Sequence, residues 1–171
     1  SDSAEFHGYS SARHELAVTN TIEFWRRRFR LGAMLDYKGG HLVYNNTERI
    51  RCSSRNNCEG LISPNASLLE QARVVMLREH TPRSNAGYFE EGDFIRFREL
   101  SLTFTPDPDW AARLFRGRSI VATLAARNLG ILWTKYTGVD PESLGTTGDA
   151  PSWFQAFGPP TYYSFRLTLG F

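Results

Sequence analysis

The residues with chemistry in them are few. Cys52 and Cys58 are the only cysteines, set in the polar stretch RCSSRNNCEG. Zinc sites draw four ligands from closely spaced Cys and His, whereas His7, His14, His41 and His80 are scattered. No metal site is expected, and a loop disulfide and two free thiols are both open for the cysteine pair. The carboxylate pairs Glu90 with Glu91 and Asp107 with Asp109 sit in turn contexts. Asp140 and Glu142 flank Pro141 in YTGVDPE, but calcium takes about six to eight oxygen ligands, and a loop-shaping turn is the simpler reading. Neither G-x-S-x-G, H-E-x-x-H nor a phosphate-cradling glycine loop occurs. With no catalytic set and no cofactor motif, the chain does not read as an enzyme. Flat aromatic faces are the remaining binding chemistry: Trp133, Tyr136 and Trp153 lie in one polar stretch and could stack on sugar rings, although packing within a loop or an interfacial girdle uses the same residues.

Composition narrows the partners. The chain has 171 residues, 20 Lys and Arg against 18 Asp and Glu, and 13% aromatic residues. A net charge of +2 is too near balance to argue for nucleic acid, and the cluster Arg26, Arg27, Arg28 and Arg30 reads as hairpin-turn and polar-face residues. Arg113, Arg116 and Arg118 fall at the same end of the predicted strands. No run approaches the roughly 18 to 20 apolar residues of a membrane-spanning helix, a test that leaves β-barrels untouched. The opening SDSAEFHGYS has neither an initiator Met nor the succession of a signal peptide, so the chain is expected to be a piece of a longer one.

The elements that must position these residues are strands. In the closing PPTYYSFRLTLGF, Tyr163, Phe165, Leu167, Leu169 and Phe171 share one face, because successive strand side chains point oppositely. Tyr162, Ser164, Arg166, Thr168 and Gly170 form the other. Glu15 to Phe24 alternates in the same way, broken only by Asn20, and so does Arg28 to Tyr37. The short link Trp25 to Arg27 predicts a hairpin. In DFIRFRELSLTF the parity of Ile95 and Phe97 is opposite to that of Leu100, Leu102 and Phe104, which predicts a bulge between Phe97 and Leu100. Arg118 to Asn128 is the mildest of the five.

The connections alternate short and long. Trp25 to Arg27 is minimal, and Thr105 to Gly117 is compact, with DPDWAARLF carrying helix-start signals. Residues 38–93 and 129–158 are long, and SLLEQARVVMLREH within the first has helical apolar spacing. All short links then lie at one end of the sheet and all long ones at the other, as in outer-membrane barrels with short periplasmic turns and long extracellular loops. The expected fold class is therefore all-β: an antiparallel up-and-down meander of about five C-terminal strands from a large transmembrane barrel. Tyr163, Phe165, Leu167, Leu169 and Phe171 would face lipid, and a terminal aromatic after alternating apolar residues resembles the assembly signal of such barrels.

Three runs carry a more specific resemblance. GDFIRFRELSLTFTPDPDW, LAARNLGILWTKYTGVDPE and PPTYYSFRLTLGF, in this order and spacing, resemble the C-terminal end of SusC/RagA-like TonB-linked outer-membrane proteins. Asp93 stands where that pattern usually has Ser, and Phe104 where it has Tyr; neither alters strand chemistry. The resemblance covers roughly the last 80 residues well, with TNTIEFWRRRFRLGAMLDYKGG fitting more loosely as the preceding hairpin. It implies a bacterial outer-membrane importer of oligosaccharides, peptides or other nutrients. The implied partners are a SusD-like surface lipoprotein, outer-membrane lipid and, through an N-terminal region with plug and TonB contact, the TonB energy-coupling complex. Five strands cannot close a barrel, so this piece is not expected to insert alone. Another outer-membrane barrel, of adhesin or translocator type, would share only the terminal signal. A soluble β-sandwich binding module would instead pack the apolar faces together.

Overall fold

The computed structural model describes residues 6–115, 119–143, 145–147 and 150–171. In chain order the elements are β1 (His14–Phe24), β2 (Phe29–Gly39), β3 (Leu42–Asn45), α1 (Asn46–Ile50), a π-helical turn (Arg51–Arg55), α2 (Glu59–Ile62), α3 (Leu68–Arg78) and a 3₁₀ turn (Ala86–Tyr88). Then come β4 (Phe89–Glu91), β5 (Phe94–Phe104), α4 (Pro108–Phe115), β6 (Ser119–Thr134), β7 (Gly145–Thr147), β8 (Ala150–Trp153) and β9 (Tyr162–Gly170). They form two compact units. A strand unit comprises Glu15–Tyr37, Ile95–Trp133 and Pro159–Phe171; a loop unit comprises the chain through His14, Lys38–Phe94 and Thr134–Gly158.

The five long strands make one sheet in the order β1-β2-β5-β6-β9. Once the short intervening strands are set aside, this is a meander in which every long strand neighbours the next in sequence. Each strand identified by alternation is therefore present, its ends within six residues of those expected. The register of β6 on β9 shows what the alternation does: Leu124 is opposite Phe165, Ala122 opposite Leu167 and Ile120 opposite Leu169, while Thr123 is opposite Arg166 and Ala125 opposite Ser164. Directly opposed residues share a face, so one face of this pair is apolar throughout and the other is mostly polar or small, with Val121 and Tyr162 among its members. The apolar face is uncovered, with Phe165 65% and Tyr163 79% exposed.

Two details of the long strands bear on the sequence reading. β5 runs unbroken through the expected bulge, yet successive residues Arg98 and Glu99 both engage polar partners: Arg98 Nε donates to Asp36 at 2.7 Å and Arg127 Nε donates to Glu99 at 2.5 Å. β6 extends to Thr134, past the expected loop start at residue 129, with Asn128 in the left-handed region (φ 54°). Asn is among the few residues that tolerate this conformation, and Asn128 is held there by Thr161 Oγ1, which donates to its carbonyl at 2.7 Å.

The loop unit departs furthest from the expectation of long loops. Its segments hold α1 to α3 and a small mixed sheet, ordered β4-β3-β8-β7. β3 pairs antiparallel with β4 and parallel with β8, which in turn pairs antiparallel with β7. Strands of three or four residues show too little alternation to be read from sequence. The helix predicted in SLLEQARVVMLREH is α3. Its Ser67 hydroxyl accepts the Glu70 amide at 3.2 Å, with Glu70 three positions on in the manner of a capping box, and Arg78 occupies the last turn, where the helix dipole favours a cation.

Candidate functional site

Cys52 and Cys58 are joined by a disulfide with Cα atoms 5.0 Å apart, and both are fully buried against Val74, Leu77 and Tyr88, with Tyr44 at the margin. The carboxylate of Glu48 lies near both sulfur atoms. With the sulfurs bonded to each other, neither is a thiolate able to take zinc. Instead the cross-link shapes a corner: α1, the π turn and α2 fold around it, and α3 packs on it through Val74 and Leu77.

That corner forms one wall of a cleft of about 550 Å³ in the loop unit. Glu48, Arg51 and Glu59 come from the disulfide corner, Glu70 and Arg73 from α3, and Thr137 and Val139 from the YTGVDPE stretch. Each charged wall is held by pairing. Arg51 bonds Glu48 at 2.8 Å and also donates to the carbonyl of Asn57 at 2.8 Å, while Arg73 bonds Glu70 at 2.8 Å and approaches Glu90 at 3.5 Å.

Glu90 is the buried carboxylate behind the cleft. It accepts from Asn45 Nδ2 at 3.2 Å and from the Thr137 amide and hydroxyl at 3.1 and 2.6 Å. It therefore ties β3, α3 and the YTGVDPE stretch together. From sequence Glu90 looked like half of an ordinary turn pair; only the burial of one of two adjacent glutamates separates them, because β4 points Glu90 inward and Glu91 outward. Asn45, which also accepts the Glu48 amide at 3.1 Å as the cap of α1, is a second residue that sequence reading missed. An Asn-Asn-Thr-Glu run at a helix start was the available signal.

The surroundings suppress ionisation of the nearby phenols. Burial pushes the Tyr88 hydroxyl up to about 12, helped by the Glu70 and Glu48 carboxylates and opposed by Arg73. Tyr136 is raised further, again by burial first and then by Glu90. At His41, burial lowers the imidazole pKa; Asp93 opposes the shift and Lys38 adds to it. Paired charges and hydrogen-bonding groups around an open cleft are suited to binding a polar ligand.

The aromatic candidates are not equivalent. Tyr136 is 3% exposed and presents no ring face for stacking. Trp133 is 44% exposed near the end of β6, in the strand unit. Trp153 lies in β8, and its side chain is outside the described residues. Asp140 forms a turn: its Oδ1 accepts the Glu142 amide at 2.8 Å and its carbonyl accepts the Ser143 hydroxyl at 2.6 Å. Arg113 is exposed, and Arg116 and Arg118 lie outside the described residues.

No protein-family model matches the chain, and no curated protein does. Solved structures do. The chain is similar to a chain in the structure of the RagAB peptide transporter, with TM-score 0.54 and 22% identity, covering 85% of this chain and 16% of that one. It is similar to chains of the RagAB peptide importer in the open-open state (TM-score 0.53, 20% identity, 85% and 16% coverage) and in the closed-closed state (TM-score 0.57, 22% identity, 84% and 16% coverage). The chain thus spans about 16% of the length of the transporter chains it matches. At this identity the likeness is one of fold: the SusC/RagA-like resemblance carried by the three sequence runs is met by an antiparallel strand architecture shared with part of a far larger transporter chain.

Proposed function

We propose that the chain is the C-terminal part of the barrel domain of a SusC/RagA-type, TonB-dependent importer in a bacterial outer membrane. The observation that carries this reading is the opposition of β6 and β9, which gives a sheet with one uncovered apolar face and one polar face. A soluble sandwich would cover Phe165 and Tyr163; lipid is the medium in which a bare face of that kind is stable. The antiparallel meander supports the same reading, as does the fold likeness to the RagAB peptide transporter. In this proposal Tyr163, Phe165, Leu167, Leu169 and Phe171 face lipid, and residues 38–93 and 129–158 are extracellular. The mixed-charge cleft belongs to that extracellular part, where it would meet a nutrient such as a peptide or oligosaccharide. Among the described side chains of the three aromatic candidates, Trp133 is the one with an exposed ring. A SusD-like lipoprotein would close over the outer side, and TonB would act through a plug carried elsewhere in the protein.

The test is fractionation of cells expressing the full-length protein, followed by affinity capture. Recovery in the outer membrane as a heat-modifiable barrel, together with a surface lipoprotein, is the expected result. Recovery as a soluble monomer would end the proposal.

A further inference from the structure

We propose that the β1–β2 turn binds the headgroup of an anionic phospholipid, an inference that rests on the membrane-spanning reading above. Trp25, Arg26 and Arg27 all lie in the left-handed region, at φ 50°, 56° and 62°. Each of these L-residues carries a steric cost there that glycine would avoid, so the turn keeps three large side chains where the smallest would fit best. Trp25 stacks on Phe29 with ring centroids 5.6 Å apart, and Phe29 also contacts Phe24 at 5.5 Å and Phe104 at 4.7 Å. The result is an aromatic platform at one end of the sheet, continuous along β1 with the exposed Ile22 and Phe24. Aromatic groups of this kind settle at headgroup level.

Charge completes the site. Arg30 bonds Glu23 at 2.7 Å, and Arg27, almost fully exposed, reaches the same carboxylate only at 3.9 Å. Arg28 is engaged by Asp107. Among the described residues Arg26 has no ion pair or hydrogen bond. Three guanidinium groups thus share two carboxylates and a fourth has neither, leaving a surplus of positive charge beside exposed rings. Phosphate on an apolar anchor satisfies both halves of that surface, whereas a soluble polyanion would leave Trp25 and Phe24 facing water.

The experiment uses the full-length protein in non-ionic detergent, titrated with phosphatidylglycerol or phosphatidylcholine and read by native mass spectrometry. Wild type should retain phosphatidylglycerol roughly tenfold more tightly, R26Q/R27Q should lose that preference, and the charge-preserving R26K/R27K should keep it. Equal retention of the two lipids by wild type, or an undiminished preference in R26Q/R27Q, would overturn the proposal. So would a preference in wild type that is abolished by competing single-stranded DNA while persisting without the rings, in the Trp25→Ser variant. Heat-modifiable migration is recorded for each protein: a folded barrel without lipid preference overturns this site alone, and a wild type that forms no barrel overturns the membrane-spanning reading with it.

Discussion

The strand unit and the loop unit solve the same problem in opposite ways. The loop unit has a small core gathered around a disulfide, with Tyr88, Val74 and Leu77 out of water and charge displayed on the walls of a cleft, while Leu68, Ile62 and Phe157 stay exposed. In the strand unit the large apolar groups are outward and bare, while ion pairs such as Arg98 with Asp36 and Arg127 with Glu99 occupy the polar face. The first is the arrangement of a protein in water. The second is its inverse, and it makes physical sense where the outer medium is hydrocarbon and the wet side is enclosed. The contrast teaches that burial alone would misjudge this molecule: an exposed Phe165 is a defect in one solvent and a requirement in the other.

Single substitutions should act on one unit and spare the other. The largest effect is expected from Glu90→Ala, which strips Arg73, Asn45 and Thr137 of a buried common partner. It should destabilise the loop unit by about 3 kcal/mol or more, read as faster amide exchange in α3 with exchange in β9 unchanged. Phe165→Arg should cost about 2 to 4 kcal/mol in a bilayer, measured by urea unfolding from liposomes, with no change in α3 exchange. Reducing the Cys52–Cys58 bond releases a short loop worth about 2 kcal/mol in the chain-entropy account. It should raise protease sensitivity around residues 46–62 without affecting the strands. Ser67→Ala removes the cap of α3 and should cost about 1 kcal/mol, seen as fraying at Leu68–Glu70.

A pH titration sharpens the loop side. His41 has a lowered folded-state pKa, so below about 6.5 the unfolded chain takes up a proton that the folded unit resists. Stability of the loop unit is thus fully present above that value and declines as pH falls toward the folded pKa. His41→Gln should flatten this part of the profile.

Legibility followed the same division. Strands of nine or more residues announce themselves, because alternation over that length leaves one register that keeps Leu, Phe and Tyr on one face. β3, β4, β7 and β8 are too short to show a period, and the parallel pairing of β3 with β8 joins residues over a hundred positions apart. The site was less readable than the wall. Trp133, Tyr136 and Trp153 look alike as aromatic letters, yet Tyr136 is buried and Trp133 exposed. Glu90 and Glu91 are adjacent and identical in type, and only the direction of a three-residue strand separates a buried tie from a surface charge.

In the proposed barrel, lipid wets one side of β9 and water the other. Single cysteines placed at Ser164, Phe165, Arg166, Leu167 and Thr168 of the full-length protein, probed in whole cells with a small water-soluble maleimide, test it directly. Labelling at 164, 166 and 168 with protection at 165 and 167 is the predicted pattern. Labelling at 165 and 167 equal to that of their neighbours, or protection at all five positions, would contradict it.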